Sequence, residues 1–436
     1  MRQASLIGHV AEVLDFIRAS SNPADRIAQE FFRKRKYLGA RDRRFISETL
    51  YGVIRNYRLL QTYLSSIALP LQASSLSYCT AYCLKFGGQH LDGLRSEIDA
   101  LWRMAHPDIE ISEFLEKICE VTLSEDILED PAKRISVQNS FPDSIVLEWI
   151  DRFGENEANA LCKSLNRPAP TVLRVNHLKT TREECAARLR EENVATSATS
   201  ISPVGLVAEK RFHAQSLRAF GEGLFEIQDE GSQIISFLVN PSPGEVIVDA
   251  CAGGGGKSLH LASIMEDTGK VIAIDVDRSR LAGISERVRR TGLNCIEARH
   301  TTEYPAVIHE QGADRVLVDA PCSGSGTYRR NPDAKMRFRE EGIVQLNDIQ
   351  RSVLEEYAKL VRPGGILVYA TCSLLRSENE DVVEWFLNRH TEYSLRSTSE
   401  ALGKHSVTLN SSSDYLFLTP HLHGSDGFFA AVIGRN

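Results

Sequence analysis

GEVIVDACAGGGGKSLHLASIMEDTGKVIAIDVD, residues 244–277, sets the fold. VIVDA is an apolar, β-branched run too short for a helix. Four consecutive glycines follow, then SLHLASIME with helical spacing, then a second apolar run that ends at Asp275. The pattern predicts strand, glycine loop, helix, strand. The alternation continues downstream. RSRLAGISERVRRTG reads as a helix with a terminal glycine, NCIEA as a short strand and DRVLVDAP as a longer one. GIVQLNDIQRSVLEEYAKLVRPGG reads as a long helix closed by Pro and Gly, GILVYATCS as a strand, ENEDVVEWFLNRH as a helix and DGFFAAVI as a closing strand. Nearly unbroken apolar strands between helices predict an α/β domain whose mostly parallel sheet is covered on both faces.

Such a sheet takes ligands at the carboxyl ends of its strands, near the point where strand order reverses. Cys251, Ala252, Gly253, Gly254, Gly255, Gly256 and Lys257 occupy that place after the first strand. Glycines let backbone approach a ligand and aim N–H groups at it from a helix start. Asp275 ends the next strand, where a carboxylate holds a ribose hydroxyl pair. GGGGKS has the last three residues of a phosphate-binding P-loop, but the motif's first glycine would fall at Cys251, so that match fails. The dinucleotide fingerprint G-x-G-x-x-G does not fit well either. S-adenosylmethionine becomes the leading cofactor.

Upstream the chain reads differently. RRFISETLYGVIRNYRLLQTYLSSI (43–67) has helical spacing and no strand-like alternation. PTVLRVN reads as a strand, TTREECAARLREEN as a helix opened by a threonine cap and GLFEIQDEGSQ as a strand running into a helix. Three regions are expected: helical over 1–138, a small α+β segment over 139–240 and the α/β domain over 241–436.

Composition is that of a globular chain, 42% hydrophobic and 25% charged over 436 residues. No run approaches the length of a transmembrane helix. The N-terminus carries Glu12 and Asp15 within an apolar pattern, which reads as an amphipathic helix and not a secretion signal. The nine cysteines form no C-x-x-C pair, so neither a metal site nor a disulfide framework is expected, and the expected location is the cytoplasm. Net charge is −7, yet FFRKRKYLGARDRRF (31–45) holds seven bases to one acid and YRRNPDAKMRFR (328–339) five to one. Local basic patches on an acidic chain fit selective polyanion contact, or solvated helix faces.

Two further stretches narrow the reading. DAPCSGSGTYRRNPDAK (319–335) and YATCSLLRSENEDVV (369–383) each place a cysteine just past a strand. They closely resemble the two signature motifs of the Sun/RsmB-type RNA cytosine-5 methyltransferases. CAGGGGK resembles that family's cofactor loop, C-A-A-P-G-G-K. NRPAPTVLRVN, QDEGSQ and DGFFAAVI also fit, and RDRRFISETLYGVIRNYRLL resembles the family's helical NusB-like domain. The likeness spans nearly the whole chain. It implies a Rossmann-like domain with a seven-stranded sheet, preceded by a NusB-like domain and a small RNA-binding segment.

The resemblance further implies an enzyme that methylates carbon 5 of a cytosine in 16S ribosomal RNA from S-adenosylmethionine, as a monomer. Carbon 5 is a poor nucleophile; a thiolate added at carbon 6 converts the ring to an enamine-like species that can take the methyl. The resemblance implies that Cys372 is this nucleophile, that Cys322 assists product release, and that Asp319 steadies the base and touches the cofactor. Arg329, Arg330 and Lys335, next to Cys322 in sequence, are expected to hold flanking phosphates. Two departures stand out. Gly254 replaces the family's proline, which predicts a looser loop at about 0.5–1 kcal/mol. Arg299, His300 and Thr301 replace an acid after the third strand, which predicts a weaker adenosine contact. Two rival readings remain: a DNA cytosine-5 methyltransferase using Cys322 as nucleophile, and a non-catalytic RNA-binding assembly factor.

Overall fold

A computed structural model describes residues 2–70, 74–88, 90–405, 407, 409 and 414–436. Two units form. One comprises Met1–Arg167 together with Tyr328–Phe338, the other Pro168–Thr327 with Arg339–Asn436.

The first unit is helical. Its core is built from apolar positions at three-to-four spacing, such as Ile7, Val10 and Leu14 on the helix Gln3–Arg18 and Ile46, Leu50 and Val53 on the helix Ala40–Arg55. These meet Trp102, Phe114 and Ile118 from later helices. The helices Asp143–Phe153 and Glu155–Leu165 also belong to this unit.

The basic stretch 31–45 divides by role. Arg35 pairs with Glu12 and lies 3.8 Å from the centroid of the Phe31 ring, and Arg43 donates to the Leu38, Phe32 and Arg35 carbonyls. Arg33, Lys36 and Arg41 are exposed.

The segment Tyr328–Phe338 departs from expectation. Arg329 and Lys335 are only 5% and 6% exposed. Lys335 Nζ donates to the Arg55 carbonyl at 3.0 Å, the Asn139 carbonyl at 3.3 Å and Asn166 Oδ1 at 2.6 Å, and sits 4.3 Å from the Phe141 ring centroid. Burial pushes its ammonium down to about 7. Asp333 takes the Ala24 amide at 2.9 Å and pairs with Arg337. Lys335 is thus spent on internal carbonyls, and Arg329 is withdrawn from solvent; neither serves as a surface phosphate contact.

The second unit holds two sheets. The smaller comprises β1 (Thr171–Val175), β2 (Thr196–Ala198), β3 (Gly205–Ala208) and β4 (Phe225–Ile227), antiparallel in the order β2-β3-β1-β4. The helix Arg182–Glu191 packs against it, capped by Thr181 and Glu184 in a reciprocal box. The larger comprises β5 (Val246–Ala250), β6 (Lys270–Asp275), β7 (Ile296–His300), β8 (Ala313–Asp319), β9 (Val361–Thr371), β10 (Tyr393–Arg396), β11 (Tyr415–Leu418) and β12 (Phe428–Arg435). Seven strands run in the order β10-β12-β9-β8-β5-β6-β7, and an eighth, β11, pairs with β12. Strands β5 to β9 are parallel; β10, β11 and β12 make the antiparallel edge. Successive residues serve opposite faces: Ile247 packs in one apolar layer and Val248 in the other. Strand order reverses between β5 and β8, so a crevice opens at Ala250 and Asp319.

Among the described residues no helix is long and apolar enough to cross a membrane.

Candidate active site

The loop after β5 is held tightly by its own backbone. Cys251 has φ 60°, the Ala252 amide donates to the Ile274 carbonyl at 2.9 Å, and the Gly255 amide returns to the Ala252 carbonyl at 2.9 Å. Gly255, at φ 75°, opens the helix Gly256–Ile264; a Cβ there would stand 2.8 Å from Ile284, so both conformation and space require glycine. Asp275 ends β6 at 5% exposure. Its Oδ2 accepts from the Gly253 amide and its Oδ1 from the Asp277 amide, both at 2.8 Å. The expected ribose-binding carboxylate therefore touches the glycine loop directly.

Asp249, the last polar residue of β5, is fully buried and takes Ser258 Oγ at 2.5 Å. Its Oδ1 makes no hydrogen bond among the described residues. Burial pushes its carboxyl up to about 7 against the Ser258 hydroxyl, and the Asp319 charge adds to the rise. An acid near the end of β5, an acid at the end of β6 and glycine-rich backbone between the two strands are a donor and acceptor set that fits S-adenosylmethionine. At the end of β7, His300 occupies the place of the missing acid. Its ring bonds the Val276 carbonyl at 3.1 Å and Thr302 Oγ1 at 2.9 Å.

Lys257 Nζ crosses the crevice to Asp319 Oδ2 at 2.6 Å. Burial works against the ammonium, but the Asp319 carboxylate outweighs it and the net shift is upward; charge at Cys372 adds to this.

The two motif cysteines converge. β8 and β9 are adjacent and parallel, with Asp319 opposite Ala370, so the loops that leave them run side by side. Cys322 Sγ and Cys372 Sγ lie 3.4 Å apart. The contact with Cys372 pushes the Cys322 thiol up, and burial, charge at Cys372 and charge at Glu378 act in the same direction. Cys322 therefore holds its proton tightly. Below them the loops are cross-tied. The Gly326 amide donates to the Cys372 carbonyl at 2.9 Å, and Gly326 meets Gly427 so closely that a Cβ would lie 2.3 Å from the Gly427 carbonyl oxygen.

Sequence reading passed over Glu378. It is fully buried beneath both loops. Its Oε1 accepts from the Ser323 amide at 2.8 Å and Gln350 Nε2 at 3.0 Å; its Oε2 takes the hydroxyls of Ser323 and Ser373. The available signal was an acid only six residues past Cys372, in a stretch otherwise set to start a helix. Among the described residues no His, Cys, Asp and Glu cluster could hold a metal.

The family model for 16S rRNA methyltransferase RsmB/F matches residues 236–434, and the RsmF/B-like ferredoxin-like domain matches 141–215. A probable ribosomal RNA small subunit methyltransferase B of Synechocystis is 32% identical over 423 residues, 90% of this chain and 91% of that one. Its counterpart in Bacillus subtilis is 34% identical over 306 residues, covering 70% and 68%. Among solved structures, PH0851 aligns over 99% of both chains with TM-score 0.78 at 28% identity. A methyltransferase homolog protein from Pyrococcus horikoshii aligns over 72% of this chain and 100% of its own, with TM-score 0.59 at 27% identity. With the paired cysteines and the glycine loop in place, the chain belongs to the RsmB/F family of 16S rRNA methyltransferases, enzymes that depend on S-adenosylmethionine.

Proposed function

We propose that this chain methylates carbon 5 of a cytosine in small-subunit ribosomal RNA, with Cys372 as nucleophile and Cys322 as the group that frees the product. The observation that carries the reading is the 3.4 Å contact between the two sulfurs at the ends of adjacent parallel strands. The loop 251–257 would hold S-adenosylmethionine, with Asp275 at its ribose, and the cofactor would supply an electrophilic methyl and leave as S-adenosylhomocysteine. The Cys372 thiolate adds to carbon 6 of the flipped base, and carbon 5 uses the electron pair so released to take the methyl. Asp319, whose Oδ1 meets no protein donor among the described residues, holds the exocyclic amine and ring nitrogen 3.

The sulfur pair also orders the steps. The contact with Cys372 pushes the Cys322 thiol up. Once Cys372 is a neutral thioether, two of the causes that raise Cys322 disappear. Cys322 can then pass its own proton to solvent water, take the proton from carbon 5 as a thiolate, and so let the carbon–hydrogen electron pair re-form the ring double bond and expel Cys372 as a thiolate. The pairing weighs against the DNA-type reading, in which Cys322 would attack first. The test is methyl transfer from labelled cofactor to small-subunit rRNA, with bisulfite sequencing of the product. A single protected cytosine is expected; label on DNA instead, or on neither, would overturn the reading.

Asp275 carries its own prediction. Asp275→Ala is expected to weaken S-adenosylmethionine by about 1–3 kcal/mol, because a buried hydroxyl pair loses its acceptor and the Gly253 amide its anchor. Calorimetry reads this directly, and an unchanged affinity would place the ribose elsewhere.

A further inference from the structure

The cofactor loop is gripped from outside by two arginines distant from it in sequence. Arg287, on the helix Arg278–Thr291, donates through Nη1 to the Gly254 carbonyl at 2.5 Å. Its Nε and Nη2 hold Glu226 Oε2 at 3.1 and 2.8 Å. Arg174, on β1, donates through Nη1 to the Gly256 carbonyl at 2.6 Å and to Gln228 Oε1 at 2.6 Å. Glu226 lies on β4, and both it and Arg174 are 2% exposed. The carbonyls on either side of Gly255 are thus fixed by guanidinium groups, one emanating from the small sheet and the other anchored to it.

A planar peptide whose carbonyl is pinned has its N–H aimed the opposite way. Four glycines in succession would otherwise sample many such orientations, at an entropic cost on binding. Position 254 is part of the same device. Its backbone lies outside the left-handed region, so other residues could adopt it, but a Cβ would stand 3.2 Å from Arg287 Nη1. The glycine there makes room for the guanidinium, and the loosening expected from it meets a brace.

We propose that Arg287, anchored by Glu226, is a positioning residue for S-adenosylmethionine, and that the small sheet serves the cofactor site through it. This rests on the loop 251–257 being the cofactor site. Arg290 also pairs with Glu226, so Arg287→Ala leaves that buried carboxylate with a cation.

The test uses the full chain. Arg287→Ala is expected to raise the calorimetric Kd for S-adenosylmethionine, and KM with it, by about tenfold, with kcat at saturating cofactor nearly unchanged. Arg287→Lys keeps the charge but cannot fork between Glu226 and the Gly254 carbonyl, so it is expected to recover little of the loss. Gly254→Ala is expected to weaken binding when Arg287 is present and to have no further effect in Arg287→Ala, the non-additivity of a coupled pair. Asp275→Ala runs alongside. If it abolishes binding while Arg287→Ala and Arg287→Lys bind normally, the brace is overturned and the cofactor site stands. If none of the variants alters binding, the cofactor site itself is misplaced. Additive effects of Gly254→Ala and Arg287→Ala, or a fall in kcat with KM unchanged, would likewise overturn the positioning role.

Discussion

Cys322→Ala is expected to accumulate a covalent protein–RNA complex that survives denaturing electrophoresis, whereas Cys372→Ala is expected to form none. The two sulfurs are equivalent in position, each just beyond a parallel strand and 3.4 Å from the other. Contact with Cys372, and then burial, push the Cys322 thiol up. Lys257, itself raised by Asp319 against burial, supplies positive charge near Cys372. Without Cys372 there is no sulfur to add to carbon 6, so turnover and adduct vanish together while RNA and cofactor still bind. Without Cys322 the addition and methyl transfer proceed, but nothing takes the proton from carbon 5 and the adduct persists. Each change should lower turnover by orders of magnitude, since each thiol serves an essential step. The bands separate the alternatives. A DNA-type assignment gives the complex with Cys372→Ala instead, and a scaffold gives it with neither.

Much of this site was legible in sequence, for a local reason. Strand β5, the glycine loop, Asp275 and the two cysteine loops each sit at a strand end marked by an apolar run, and parallel topology alone brings strand ends together. What was not legible depends on long-range packing. Arg174 and Arg287 look like any surface bases, and only the fold carries them to the Gly254 and Gly256 carbonyls. Lys335 failed in the opposite sense. A basic run beside a catalytic cysteine suggested phosphate contact, yet its ammonium is enclosed by the Arg55 and Asn139 carbonyls, Asn166 and the Phe141 ring. Charge in a sequence does not say which side of the surface it will occupy. The ion pair of Lys257 was equally hidden, because its partner Asp319 lies 62 positions away. The strands β10 and β11 escaped notice because they are four residues each, at the antiparallel edge.

Glu378→Gln is expected to lower the pH at which Cys322 becomes reactive, and Glu378→Ala to disable the enzyme. Glu378 receives four donors on two oxygens in a fully buried setting and so joins the loop of Cys322, through Ser323, to the loop of Cys372, through Ser373. Removing the carboxylate leaves those donors facing a void. Each buried donor left without a partner costs about 1–3 kcal/mol, and the freed loops would lose the sulfur contact. A fall in kcat of at least a hundredfold is expected, since misplacement of reacting groups by about 1 Å costs that much. Glutamine keeps the shape, and the serine hydroxyls can turn to accept from its amide, so folding should be largely retained. The negative charge is gone, however, and that charge is one of the causes holding Cys322 up. A thiol relieved of a neighbouring anion ionises at lower pH. Alkylation of the Cys322 peptide, followed by mass spectrometry across pH, should therefore shift to lower pH in Glu378→Gln. A purely structural role for Glu378 leaves that profile where it is, and a shift to higher pH would mean that the carboxylate acts on Cys322 through something other than its charge.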